Sequence, residues 1–255
     1  MINIIERDRS IIPACDINLE IFEEIVKETA DIPGVGGYKV GVSFLDVGLK
    51  EVADIAREYT DKPVIYDHQK AGTDIPDTAD RFMDSIMRSG INAIILFPQA
   101  GPITEYEWIK SAQDRNLGVI VGGEMTHPRY LDGDFKNTTK KNYTEIFKEL
   151  GIDEDITGYV RNFAPEEMYG LAAKMKVTDF VVPGNKPDYI KYYKNVIEMN
   201  GISKSILYSP GLIKQGGKIS EGAKAAGKRF HGIVGRGIYE AENIRQAAID
   251  LTSKL

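Results

Sequence analysis

Eight short apolar runs, each parted from the next by residues with helical spacing, constrain this chain more than any other feature. They are Ile11–Asp16, Gly37–Val42, Val64–Asp67, Ala93–Phe97, Val119–Gly123, Phe180–Pro183, Ser205–Ser209 and Gly232–Gly235. Within each run apolar residues are nearly continuous rather than alternating, as expected for strands of a parallel sheet covered on both faces. Between the runs, apolar residues recur every three or four positions. Leu19, Phe22, Ile25 and Val26 make one such face, and Val47, Val52, Ile55 and Ala56 another. Phe82, Ile86 and Met87, then Met168, Leu171 and Ala172, repeat the pattern. Strand–helix alternation eight times over predicts an α/β fold, a closed (β/α)8 TIM barrel formed as a single domain over residues 1–255. A doubly wound open sheet is the alternative that the same alternation permits. The rhythm breaks between Gly123 and Thr178, where the polar stretch Asp132–Asn142 falls. This enlarged segment between strands 5 and 6 is expected to hold an extra helix or two and a mobile loop over the barrel mouth.

The bulk numbers exclude several classes. A net charge of −6 argues against nucleic acid as the main ligand, because binding a phosphate backbone requires a basic face. A local basic pocket for one small phosphate remains compatible with it. The lone cysteine, Cys15, admits no intramolecular disulfide and fits a reducing cytoplasm. Its place in Ile11-Ile12-Pro13-Ala14-Cys15 reads as a buried structural thiol. Charges at Glu6, Arg7, Asp8 and Arg9 leave no apolar core for a signal peptide, and no apolar run approaches the ~20 residues of a membrane span. His68, His127 and His231 lack metal-ligand spacing, so no metal is expected.

The ends of the strands carry the chemistry-bearing residues. Asp16 closes the first, Lys39 lies in the second, and Asp67 ends the third, with Lys70 and Asp74 close behind. Glu124 and Thr126 follow the fifth. In barrel enzymes the strand C-termini are where chemistry is done. A cluster of two carboxylates and an ammonium is costly to desolvate unless its members pair with each other or with a substrate. The last two strands lead into Ser209-Pro210-Gly211…Gln215-Gly216-Gly217 and Gly235-Arg236-Gly237-Ile238-Tyr239, a glycine-rich turn followed by a helix start and a guanidinium. Backbone N–H groups and an arginine there suit a phosphate, and the loops after strands seven and eight are its usual site in this fold. Structural readings stand beside these. Gly216-Gly217 can be a plain turn, Arg236 a surface ion pair, and Asp74 an N-cap ahead of Pro76.

Taken together, these segments resemble the orotidine 5'-phosphate decarboxylases of the ribulose-phosphate-binding barrel superfamily. The resemblance runs from Ala14-Cys15-Asp16 through Tyr38-Lys39-Val40-Gly41, Asp67…Lys70…Asp74-Ile75-Pro76-Asp77-Thr78 and Glu124-Met125-Thr126-His127-Pro128 to the two glycine-rich ends. The Glu-Met-Thr-His segment and the Gln-Gly-Gly turn point more narrowly to the decarboxylase of the pyrimidine pathway. The resemblance implies a homodimer of barrels that binds orotidine 5'-phosphate and releases UMP without metal or organic cofactor. It implies that Lys39, Asp67, Lys70 and Asp74 form an alternating charge network, with Asp74 reaching in from the partner subunit. Lys70 would protonate C6 of the pyrimidine, and Asp67 would lie near the substrate carboxylate. Asp16 and Lys39 would hold the ribose hydroxyls, and Ile75 and Thr78 would join Asp74 across the interface. Thr126 would meet the pyrimidine edge, where the family usually has serine, beside Pro210. Gln215, Arg236 and the backbone of Gly235 would bind the 5'-phosphate.

The spacing departs from the family's Asp-x-Lys-x-x-Asp. On a regular strand Asp67 and Gln69 share a face and Lys70 points away, so Lys70 reaches the site only if the chain bends near His68. If it does not bend, Gln69 takes the lysine's place. Two other functions therefore stay open. One is a magnesium-dependent sugar-phosphate decarboxylase or hexulose-phosphate synthase, with Asp67 and Glu124 as ligands. The other is a non-catalytic nucleotide-phosphate binding protein.

Overall fold

The computed structural model of the protein describes residues 3–68, 71–133, 143–152 and 157–255. Its strands are β1 (Arg9–Cys15), β2 (Tyr38–Val40), β3 (Val64–Asp67), β4 (Ala93–Leu96), β5 (Gly118–Gly122), β6 (Asp179–Val181), β7 (Ile206–Ser209) and β8 (Phe230–Val234). All pair in parallel and in chain order, and β1 closes on β8 through Ile11↔Gly232 and Ile12↔Ile233. That pairing makes a closed barrel and removes the open-sheet alternative.

The helices cover the outside: α1 (Leu19–Thr29), α2 (Leu49–Tyr59), α3 (Ala79–Arg88), α4 (Pro102–Asp114), α5 (Tyr143–Glu149), α6 (Ala164–Lys174), α7 (Pro187–Met199), α8 (Ile219–Ala226), α9 (Arg236–Tyr239) and α10 (Ile244–Thr252). Asn18 caps α1 by accepting from the Ile21 N–H, and Asn243 caps α10 in the same way. Phe22, Ile25 and Val26 are buried as their spacing requires, whereas Met87 is 46% exposed and does not join the apolar face of α3. Between β5 and β6, α6 is the regular crossover helix and α5 the added one. Residues 134–142, where a mobile loop was expected, lie outside the described residues. No helix among the described residues is long and apolar enough to cross a membrane.

Two apolar layers result. One lies between strands and helices and includes Tyr38, Val40, Tyr66 and Phe180. The other fills the barrel, with Ile12, Ala14, Ile65, Ile95, Val181 and Ile233. Side chains alternate along a strand, so Asp67, two residues beyond inward-facing Ile65, points into the mouth. Lys39, between outward-facing Tyr38 and Val40, does the same. At the opposite end of the barrel the filling is polar. Ser10 Oγ lies 2.8 Å from His231 Nδ1, and Tyr208 donates to Asp179 at 2.8 Å. This polar layer explains why the apolar signal locates the start of β8 only at Gly232, two residues late. Cys15 is buried, and burial pushes its thiol pKa up, away from reactivity.

Candidate active site

At the C-terminal mouth, the ends of β1, β2 and β3 bring Asp16, Lys39 and Asp67 together. Lys39 Nζ stands 3.0 Å from Asp67 Oδ2 and 3.3 Å from Asp16 Oδ1. Burial opposes the ammonium charge, but the two carboxylates outweigh it and the Lys39 pKa is raised. Gly41 permits this crowding, since a Cβ there would sit 2.9 Å from the Asp67 carbonyl oxygen and 3.1 Å from Asp16 Oδ1.

Across the mouth, β7 runs into a compact loop. The Ile213 N–H donates to the Gly217 carbonyl at 2.7 Å and the Gly217 N–H to that of Gly211 at 3.2 Å. Gly211 and Gly216 take φ of +85° and +91°, a region that side chains rarely adopt. A Cβ on Gly217 would meet the Gly184 and Gly211 carbonyl oxygens at 2.7 and 2.8 Å. The Gly216 and Gly217 N–H groups are thus committed inside the loop, as in the plain-turn reading. It is the Gln215 side chain that faces the cleft. Arg236 opens α9 after Gly235 and lines the same cleft; its guanidinium makes no hydrogen bond or ion pair among the described residues, so the surface ion-pair reading does not hold there. Tyr239 spans the two sides, and its phenol pKa is raised by burial first and then by Asp16 and Glu240.

One cleft therefore gathers Asp16, Lys39, Asp67, Glu124, Thr126, Pro210, Gln215, Gly235 and Arg236. It does not gather Asp74, Ile75 and Thr78, which lie on the flank facing α4. The Asp74 carbonyl accepts from Thr104 Oγ1 at 3.0 Å, and that of Ile75 from Trp108 Nε1 at 3.3 Å. Ile75 is 58% exposed. Asp74 is not an N-cap. Its Oδ1 accepts from the next residue's N–H at 2.7 Å, and the 3-10 turn Pro76–Thr78 starts after Ile75, with Pro76 in its first position. Gln69 and Lys70 lie outside the described residues, which resume at Ala71, whose carbonyl accepts from the Phe97 N–H at 2.9 Å.

Sequence reasoning missed the support behind Glu124 and Thr126. Glu124 is enclosed; Lys186 Nζ is 2.5 Å from its Oε1, and the Tyr193 hydroxyl donates to its Oε2. Burial and then the Glu124 charge drive the Tyr193 pKa far up, so it stays a donor. Asn185 Nδ2 donates to the Thr126 carbonyl at 3.0 Å. The one available signal was Asn185-Lys186-Pro187 following β6, a strand end like the others.

With this geometry in view, the chain can be set beside known proteins. It is 28% identical over 224 residues to the orotidine 5'-phosphate decarboxylase of Methanococcus maripaludis, spanning 88% of this chain and 86% of that one. It is 29% identical over 252 residues to that of Methanosarcina acetivorans, spanning 98% and 96%. In fold it is similar to the orotidine 5'-monophosphate decarboxylase of Methanocaldococcus jannaschii complexed with inhibitor BMP, with a TM-score of 0.75, 24% identity and coverage of 98% and 99%. The enzyme from Pyrococcus horikoshii OT3 follows at a TM-score of 0.70, 22% identity and coverage of 96% and 98%. The matching family model spans residues 11–251, from within β1 through the Arg236 turn and into α10. The charged cluster and the guanidinium opposite it thus lie within the matched span, and the chain belongs to the orotidine 5'-phosphate decarboxylase / HUMPS family.

Proposed function

We propose that this chain converts orotidine 5'-phosphate to UMP and carbon dioxide in pyrimidine biosynthesis, without metal or organic cofactor. The observation that carries the reading is the division of one cleft. A buried carboxylate–ammonium cluster occupies the β1–β3 side, and an uncommitted guanidinium with an amide occupies the β7–β8 side. A nucleoside monophosphate has the matching poles. Arg236, Gln215 and the Gly235 backbone take the phosphate, and Asp16 and Lys39 take the ribose hydroxyls. Thr126 meets the pyrimidine edge, against Pro210.

Breaking the C6–carboxylate bond leaves its electron pair on C6, in the ring plane and outside the π system. A fixed ammonium stabilises that pair and then supplies the proton. Lys70 fills this role; it is left as a neutral amine and regains a proton from water. Asp67, already set by Lys39, stands at the carboxylate end and keeps that ammonium charged. The phosphate is remote from the breaking bond, so its binding energy drives closure and exclusion of water. Asp74, Ile75 and Thr78, displayed on the flank of the barrel, complete the neighbouring site in a homodimer.

A magnesium-dependent reading needs Asp67 and Glu124 as a ligand pair. Each instead has a lysine ammonium against it. The test is loss of orotidine 5'-phosphate absorbance with purified protein, with and without EDTA, beside Lys70→Ala. Turnover that survives EDTA and is lost in Lys70→Ala supports the proposal. Turnover unchanged in Lys70→Ala refutes the proton donor, and tight UMP binding without turnover refutes the enzyme.

A further inference from the structure

We propose that Lys214 is a second cationic ligand for the phosphate, which it binds in exchange for Glu240. The inference rests on the reading of the β7–β8 side as a phosphate site. Lys214 lines the cleft beside Gln215, Arg236 and Gly237. Its Nζ lies 3.2 Å from Glu240 Oε2, a contact joining the loop after β7 to the residue that follows α9. Both side chains are about half exposed, at 50% and 46%. An ion pair so exposed is screened and worth little, so exchanging it for a doubly charged anion is favourable.

The backbone explains how Lys214 comes to face the cleft. Two consecutive residues of an extended segment point to opposite sides, yet Lys214 and Gln215 both line the cavity. The residue before them, Ile213, has φ of +64°, an outlying conformation for a β-branched side chain that persists only where the surroundings enforce it. Its N–H is tied to the Gly217 carbonyl at 2.7 Å. Its side chain lies over Gly237, where an added Cβ would stand 3.7 Å from Ile213 Cγ2. The loop is thus turned at Ile213 and seated on α9, so that two successive side chains face one ligand.

Charge balance supports the same assignment. A phosphate monoester carries close to two negative charges at neutral pH, and Arg236 supplies one positive. Lys214 supplies the second, as a mobile point charge that needs no fixed fork geometry.

The experiment is calorimetric titration of UMP and of uridine into the full-length protein, its Lys214→Ala, Lys214→Arg and Glu240→Gln variants, and Arg236→Ala. Expected is a wild-type preference for UMP over uridine that Lys214→Ala reduces by about tenfold, through UMP affinity alone, and that Lys214→Arg largely restores. Glu240→Gln, which releases Lys214, should tighten UMP and leave uridine unchanged. If Lys214→Ala binds UMP like the wild type while Arg236→Ala does not, Lys214 and Glu240 are only a surface pair and the proposal falls. A wild type indifferent to the phosphate would instead overturn the phosphate site itself.

Discussion

Lys186 lies 62 positions beyond Glu124, yet its Nζ stands 2.5 Å from Glu124 Oε1, against a carboxylate only 1% exposed. Tyr193, further along α7, holds the other oxygen. Removing the cation strands a buried charge, so Lys186→Met should cost about 3–5 kcal/mol in urea unfolding. Tyr193→Phe removes one donor and should cost about 1–3 kcal/mol. Glu124→Gln combined with Lys186→Met should recover much of the loss, because neither partner then carries an uncompensated charge. Since Glu124 is two residues from Thr126, the single variants should also raise KM for the nucleotide. Unchanged unfolding midpoints would show that the pair contributes nothing to stability.

That pair also shows where sequence reading stops. The eight strands were legible because double-sided burial demands unbroken apolar runs, which survive without knowledge of what packs on them. Asp16, Lys39, Asp67, Gln215 and Arg236 were legible because strand ends in this fold meet at one mouth. Lys186 and Tyr193 were not, since a lysine and a tyrosine on a helix flank are ordinary until Glu124 is seen between them. The N-cap reading of Asp74 fails for a local reason. An aspartate ahead of Ile-Pro fits an N-cap, but proline at the first position set the turn one residue later and left the carboxylate on its neighbour's N–H.

The Lys39 ammonium should show itself in alkali. Its folded pKa is raised above the ordinary 10.5 because Asp67 and Asp16 outweigh burial. A raised folded pKa adds stability that is complete below the unfolded value and is lost as pH climbs through the folded one. Wild-type urea midpoints should therefore fall as pH rises above about 10.5, and Lys39→Met should lack that component. At neutral pH, Lys39→Met should be less stable by about 3–5 kcal/mol, since it leaves the buried Asp67 carboxylate without this cation. Equal alkaline slopes in the two proteins would refute the assignment.

Arg236 should matter for efficiency and not for the identity of the product. A charge-assisted hydrogen bond to phosphate is worth about 1.5–3 kcal/mol, so Arg236→Ala should lower kcat/KM for orotidine 5'-phosphate by about 10–150-fold. UMP should remain the product by chromatography. Because the guanidinium makes no hydrogen bond or ion pair among the described residues, stability should stay within about 0.5 kcal/mol of wild type. A fall in stability to match the fall in rate would mean that Arg236 supports the fold.

At the other end of the barrel, two buried groups oppose each other as pH changes. Burial first, then the Arg229 charge, lowers the His231 pKa from 6.5 to about 3. Burial raises that of Asp179 from 3.8 to about 6, against hydrogen bonds from Thr178 and Tyr208. Tyr208 sits between them, its ring centroid 4.8 Å from that of His231 and its hydroxyl on Asp179. Below pH 6.5 the unfolded histidine takes a proton that the folded one refuses, so its stabilisation, complete above 6.5, drains away toward pH 3 at about 1.4 kcal/mol per unit. Asp179 has the reverse sign. Its folded form keeps a proton that the unfolded chain releases, so its contribution is full below 3.8 and is lost as pH rises through 6. Between about pH 4 and 6 the two slopes cancel, and neither group should be visible in the wild-type profile. Asp179→Asn should expose the histidine, with stability falling by about 1.4 kcal/mol per unit on acidification through that window. His231→Asn, which can keep a partner for Ser10, should expose the aspartate, with stability rising as pH falls. Urea midpoints at half-unit steps across the window decide it: variant profiles parallel to the wild type would mean that the two groups do not titrate there.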